Sequence, residues 1–246
     1  METEKIKQLQ QWVDQSDRIV FFGGAGVSTE SGIPDFRSQD GLYHQQYDVP
    51  PETILSHTYF ERHTAEFYRF YRNKMICLTA KPNAAHKKLA ELEQAGKLLA
   101  VVTQNIDGLH QLAGSRSVLE LHGSVHRNIC QVCGAVYDAE WIMMTTGVPH
   151  CDKCGGRVKP DVVLYEESLP EDTLTRSVNA IANADLLLVG GTSLTVYPAA
   201  GLLRYFRGEH LVLLNRDATP MDEQVDLCIR EPIGKVLEQI QVRDQA

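Results

Sequence analysis

Apolar residues in this chain of 246 residues follow two patterns: short unbroken runs, and sets spaced three or four apart. The runs at 18–22, 98–103, 184–189 and 210–214 are too short for helices and end in glycine or polar residues. Each predicts a strand buried on both faces. Between them the period changes. Ile6, Leu9 and Val13 mark one face of a first helix. Ala85, Leu89 and Leu92 mark a second, closed by Gly96, and Leu174, Val178 and Ile181 a third. Pro232 and Ile233 open a last helix with Val236, Leu237 and Ile240 on its inner side. Strands alternating with helices predict an α/β fold, a parallel sheet with helices on both faces.

Two stretches break the rhythm. Residues 38–80 are aromatic-rich and read as helical, with Tyr59, Phe60, Phe67, Tyr68, Phe70 and Tyr71. Residues 123–159 carry Cys130-Gln-Val-Cys133 and Cys151-Asp-Lys-Cys154, with seventeen residues between the pairs. Two such knuckles can close a tetrahedral thiolate cage around one zinc ion, and a cage with all four positions filled is structural rather than catalytic. Both stretches read as insertions that together form a smaller domain, leaving 1–37, 81–122 and 160–246 for the larger one. A cleft between the two is the default ligand site. Cys77 and Cys228 stand outside the metal pattern and are expected to fill core.

Apolar residues are 43% of the chain, an ordinary globular share. The net charge of -8 argues against a broad nucleic-acid footprint. The polar start lacks a signal core, and no run reaches membrane-spanning length. The expected compartment is the cytoplasm, where thiols stay reduced and paired knuckles bind metal.

The chemistry concentrates where strands end. Gly23-Gly-Ala-Gly26 follows the first strand, but the turn lacks the third glycine of the dinucleotide fingerprint, so alone it reads equally as an ordinary turn. Small residues there let backbone amides approach a diphosphate, and a following helix start would add its positive end. Gly32-Ile-Pro-Asp-Phe-Arg37 comes next: Arg37 suits a phosphate and Phe36 a flat ring, though a surface loop with a salt bridge explains both. Thr103-Gln-Asn-Ile-Asp107 offers hydrogen-bonding side chains at a strand's carboxyl end, which faces the ligand crevice in open α/β sheets. His122, between Leu121 and Gly123, has the intrinsic pKa of a general base. Gly190-Gly-Thr-Ser193 and Asn215-Arg216 end two further strands.

Taken in order, Gly24-Ala-Gly26-Val-Ser28, Gly32 to Arg37, Thr103 to Asp107, His122-Gly123, the four cysteines, Gly191-Thr-Ser193 and Asn215 resemble the sirtuins, NAD-dependent protein deacylases, over nearly the whole chain. The resemblance implies a Rossmann-like domain and a small zinc-ribbon and helical domain, with NAD as co-substrate and one structural zinc. It implies that Ala25, Thr29 and Arg37 contact the diphosphate region and that Phe36 shields the reaction centre. Ile33, Ile106 and Asp107 would form the nicotinamide pocket, with Gln104 and Asn105 on the adjoining ribose. Thr192, Ser193 and Asn215 would hold the adenosine half, and Ile233 would line the adenine. His122 would be the base, with Asn105 and Asp107 also in the catalytic set. An acetyl-lysine peptide would lie between 163–167 and 194–198, touching Val163, Leu164, Tyr165 and Val196, with Tyr68 at its acyl group.

Two departures stand out. Many sirtuins have an aromatic residue and then glycine where this chain has Tyr165-Glu166. Glu166 then reads equally as a groove residue favouring basic neighbours of the target lysine and as a solvated charge. Desuccinylating members carry Tyr and, three positions later, Arg; here Tyr68 is followed by Tyr71, with Arg72 one place on. A shift of one helical position is about 100°, which turns Arg72 away from the acyl pocket and favours neutral acyl groups, acetyl first. The rival readings are mono-ADP-ribosyl transfer to protein, a zinc-knuckle binding protein and a non-catalytic NAD-binding regulator. The acidic balance opposes the second, and the presence of His122, Asn105 and Asp107 together opposes the third.

Overall fold

The computed structural model describes residues 2–36, 41 and 48–243. In chain order, α1 (Glu2–Gln15) leads into β1 (Ile19–Gly23), followed by two single 3-10 turns at Ala25–Val27 and Thr29–Ser31. Then come α2 (Pro51–Ile54), α3 (His57–Arg62), α4 (Thr64–Phe70) with a π turn at Tyr71–Met75, and α5 (Ala84–Gln94). After β2 (Leu98–Thr103), α6 (Leu109–Leu112) and β3 (Val118–Glu120) lies β4 (Gly123–Cys130), with β5 (Val136–Tyr137), α7 (Ala139–Met144) and β6 (Val158–Val162). The chain finishes with α8 (Glu171–Asn183), β7 (Leu186–Gly190), a 3-10 segment at Ala199–Tyr205, β8 (His210–Leu214), β9 (Leu227–Ile229) and α9 (Ile233–Glu238).

The large sheet has the order β3-β2-β1-β7-β8-β9, and every pairing in it is parallel. Its strands alternate between two cores, as a two-fold side-chain period requires. Ile19, Phe21, Leu186, Leu188, Val212 and Leu214 pack with Leu9, Leu89 and Val236 from the helices on one face. Val20, Phe22, Leu187, Val189 and Leu213 pack with Ile181 and Leu202 on the other. β1 lies between β2 and β7, the point where the strand order reverses; in sheets of this kind that reversal opens a crevice beyond the carboxyl ends.

A second sheet, β5-β4-β6, is antiparallel and carries the cysteine knuckles. It shares one core with the helices of the other insertion: Phe60, Phe67, Tyr68 and Tyr71 pack with Val125, Ile142 and Val158. Phe60 and Phe67 meet edge to face at 4.9 Å, and the Arg157 guanidinium sits over the Phe60 ring at 4.7 Å while it pairs with Glu61. Burying aromatic faces this way stabilises the contact beyond the area removed from water, by about 1 kcal/mol per pair. Among the described residues, no helix is long and apolar enough to cross a membrane.

Candidate active site

The carboxyl ends of β1, β2, β3, β7 and β8 meet at a cavity of about 890 Å³. Its floor is made by two glycine turns in backbone contact. Gly26 N donates to Gly191 O at 2.8 Å, and Gly24 N to Gly190 O at 3.2 Å. A Cβ on Gly26 would fall 2.8 Å from the Gly191 Cα; Gly191 itself has φ +59, and a Cβ there would lie 2.3 Å from Val27 N. Only glycine fits either place. After β1 the expected helix is replaced by the two 3-10 turns, so this glycine turn offers the crevice no α-helix start of its own. The chain must turn again within a few residues, at Gly32 with φ +83 and then Pro34, and no longer helix can propagate.

At the end of β2, Ser28 joins two predicted residues. Its Oγ donates to Asp107 Oδ2 at 2.6 Å and accepts from Asn105 Nδ2 at 3.1 Å. Asp107 Oδ1 accepts from Leu109 N at 2.9 Å, which fixes the carboxylate. Ser28 is buried; in the sequence it stands out only as part of the Gly24-Ala-Gly26-Val-Ser28 motif. Gln104 reaches across the glycine turns: its N donates to Gly23 O and its Nε2 to Thr192 Oγ1 at 3.1 Å.

His122 follows β3. Its Nδ1 lies 2.9 Å from Gln104 O, and its carbonyl accepts from Val163 N at 3.0 Å. A carbonyl can only accept, so Nδ1 carries the proton and Nε2 is the basic nitrogen of the neutral ring. Burial lowers the His122 pKa from the usual 6.5, and the Gln104 carbonyl partly opposes the shift. The ring is thus held as a neutral base at neutral pH.

Ala25, Thr29, Ile33, Phe36, Gln104, Asn105, Ile106, Asp107, His122, Thr192, Ser193, Asn215 and Ile233 all line this one cavity, as do Val163, Leu164, Tyr165 and Val196. Arg37 lies outside the described residues. The lining also includes Glu30, Lys74, Met75, Cys77, Arg216 and Glu231; of these only Arg216 stands out in the sequence as a site candidate, at the end of its strand. Glu30 Oε2 accepts from Gly234 N at 2.6 Å and so ties the first loop to α9. Cys77 is exposed in the cleft rather than filling core, because the chain leaves the π turn extended there; Cys228 packs at the edge of the core as expected.

Tyr68 departs from its predicted place. It is fully buried in the aromatic core, its hydroxyl donates to Val158 O, and it is absent from the cleft lining. Tyr71 is equally buried and stacks on Phe67 at 5.5 Å. The apolar face of α4 continues through the π turn, and this face packs both rings against the cysteine-bearing sheet. Arg72 turns to the outside and donates to Ile142 O, Thr145 Oγ1 and Gly147 O.

The four cysteine Sγ atoms lie within 4.8 Å of one another, with Cys130–Cys154 at 3.5 Å and Cys133–Cys151 at 3.6 Å. A tetrahedral zinc with Zn–S bonds of about 2.3 Å needs sulfur–sulfur edges of about 3.8 Å, so the donor set fits structural zinc. Tyr137 Oη donates to Cys151 Sγ at 3.0 Å and orients that ligand. None of the four cysteines lines the cleft.

The Sir2 family model matches residues 24–198. The chain belongs to the Sir2 family. The sirtuin is 60% identical over 240 residues to the NAD-dependent protein deacetylase of Clostridium acetobutylicum, with 96% of this chain and 98% of that protein covered. The corresponding protein of Clostridium perfringens is 56% identical, with 95% and 97% covered. A solved structure of a Sir2 enzyme superposes on the sirtuin with TM-score 0.87 at 41% identity, covering 97% and 96% of the two chains. A complex of Sir2 with a p53 peptide and NAD+ does so with TM-score 0.84 at 38% identity, covering 95% and 96%.

Proposed function

We propose that this sirtuin removes acetyl groups from protein lysines, consuming NAD and water and releasing nicotinamide, free lysine and O-acetyl-ADP-ribose. The observation that carries the reading is the His122 ring, fixed by Gln104 O with its basic nitrogen available in a cleft that Asn105, Asp107 and Ser28 also line. In this reading Ala25, Thr29 and Arg37 take the diphosphate, while Ile33, Ile106 and Asp107 take the nicotinamide under Phe36. Gln104 and Asn105 orient the adjoining ribose. Thr192, Ser193, Asn215 and Ile233 hold the adenosine half.

The acetyl oxygen of the substrate attacks the ribose carbon as nicotinamide leaves. The oxygen is a weak nucleophile, so holding it in line supplies much of the acceleration. His122 then takes a proton from a ribose hydroxyl, which attacks the acyl-derived carbon; lysine departs carrying a proton, and water adds to the cyclic cation left behind and opens it to O-acetyl-ADP-ribose. Val163, Leu164, Tyr165 and Val196 form the groove for the peptide. The zinc holds the smaller domain, 38–80 with 123–159, against the rest of the chain and takes no part in the chemistry. Acetylated proteins of the cytoplasm are the partners; the acidic chain is not suited to nucleic acid. Because Tyr68 and Tyr71 face the small core, that pair does not set acyl choice by contact.

Incubation with NAD and a lysine-acetylated peptide tests this reading. Equimolar nicotinamide, deacetylated peptide and O-acetyl-ADP-ribose are expected. ADP-ribose label retained on the protein or peptide, with the acetyl group still in place, would establish the transferase reading instead.

A further inference from the structure

Glu166 has φ +76, a region that non-glycine residues seldom enter. Its carboxylate shows what holds it there. Oε2 accepts from Thr58 N at 2.9 Å and from Thr58 Oγ1 at 2.7 Å, both on α3. The residues on either side of Glu166 bind the same insertion. Tyr165 N donates to Leu55 O and His57 N to Tyr165 O, both at 3.0 Å, in a short parallel bridge. The Glu167 carboxylate lies 2.8 Å from His57 Nδ1 and 3.1 Å from Lys159 Nζ.

The consequence is specific to the groove. The Tyr165 backbone is fully engaged by the helical insertion, so what it offers a peptide is its side chain, which sits 39% exposed at the cleft rim. Where that side chain points depends on the left-handed turn that follows it. Glycine would adopt this turn freely and would leave it mobile; a glutamate adopts it only while something holds its carboxylate.

We propose that Glu166 is a positioning residue for the acylated peptide: its bond to Thr58 holds the turn, and the turn fixes Tyr165 at the rim of the groove. The inference builds on the peptide-groove reading above. Both bonds to Thr58 use the same carboxylate oxygen, Oε2, so the proposed role of Glu166 is to hold the turn rather than to pair with basic residues of the substrate.

The test separates KM for peptide from KM for NAD and from kcat. Glu166→Ala keeps a side chain that disfavours the left-handed turn but loses the latch that holds it. It is expected to raise the peptide KM by about five- to tenfold, in line with losing the net effect of one ordinary, solvent-screened hydrogen bond, while kcat and the NAD KM stay within about twofold. Glu166→Gln keeps a side-chain oxygen for both Thr58 donors and should stay within about twofold of the unsubstituted protein in all three constants. Thr58→Ala removes one donor of the two and should shift the peptide KM in the same direction by less. Thermal melts run alongside identify any variant that fails to fold, and Thr58→Ala then carries the test.

An unchanged peptide KM in Glu166→Ala overturns the latch. So does a Glu166→Gln variant as impaired as Glu166→Ala on peptides with basic flanks, which would show the charge facing the substrate. Absence of deacetylation in the unsubstituted protein would instead remove the functional reading, a distinguishable outcome.

Discussion

At the scale of single residues, the pKa of His122 makes the most direct statement about pH. A base acts in its neutral form, and burial lowers its pKa from 6.5. Falling pH should therefore leave kcat/KM intact through the usual histidine range, with the acid limb beginning below 6.5. A limb centred above 6.5 in the pH profile would contradict the neutral, buried ring. The two buried tyrosines of the small core make a paired prediction. Tyr71 Oη has no hydrogen-bond partner among the described residues, whereas Tyr68 Oη donates to Val158 O. Tyr71→Phe should be neutral or stabilising, and Tyr68→Phe should cost about 1 kcal/mol, because only the second leaves a buried carbonyl without its donor. Urea unfolding of both variants checks the order; equal losses would mean that the Tyr71 hydroxyl has a partner after all.

At the scale of elements, the four longer strands of the large sheet and four principal helices were legible because each carries either an unbroken apolar run or a three-to-four spacing. β3 and β9 were not. They have three residues each, too few for any period to show, and only pairing along the sheet edges defines them. The turns after β1 were misjudged for a different reason: the motif predicts a helix, but backbone contact with Gly191 and the turn at Gly32 cut it to single 3-10 turns. The knuckles were legible in full, since CxxC spacing constrains ligand geometry locally. Cys151→Ser should therefore release the metal and unfold the smaller sheet, lowering activity by that route alone. Metal analysis should give about one zinc per chain before the substitution and far less after it. A zinc-free chain that remained folded and fully active would show that the metal does not hold this domain.

At the scale of the whole molecule, the cleft was legible as a set of strand ends, because a parallel sheet brings its carboxyl ends to one side. The helical insertion's part in it was not. Lys74, Met75 and Cys77 reach the cleft through a π turn that the aromatic pattern of α4 conceals, and the same pattern mislocated Tyr68. Beneath the cleft, His86 and His110 lie buried with their rings 4.7 Å apart. Burial lowers the His86 pKa to about 4 despite nearby Asp107, and burial together with His86 lowers that of His110 to about 3. Both folded values lie below the unfolded one of about 6.5, so the unfolded chain binds more protons across that interval. Stability contributed by the neutral rings is complete above pH ~6.5 and declines as pH falls towards 3. Each group adds up to about 1.4 kcal/mol of loss per pH unit once its unfolded form is protonated. Replacing His110 with Gln should flatten that decline in urea titrations between pH 6.5 and 4; an unchanged slope would place the acid sensitivity elsewhere.

The central claim is that His122 performs the chemistry in a cleft that binds NAD independently of it. The most direct test is His122→Ala, with deacetylation followed as release of nicotinamide and O-acetyl-ADP-ribose and NAD affinity measured by calorimetry on the same sample. The account predicts that deacetylation is abolished while the Kd for NAD stays within about tenfold, because a base acts after the co-substrate is bound. Deacetylation at near the unsubstituted rate would contradict it.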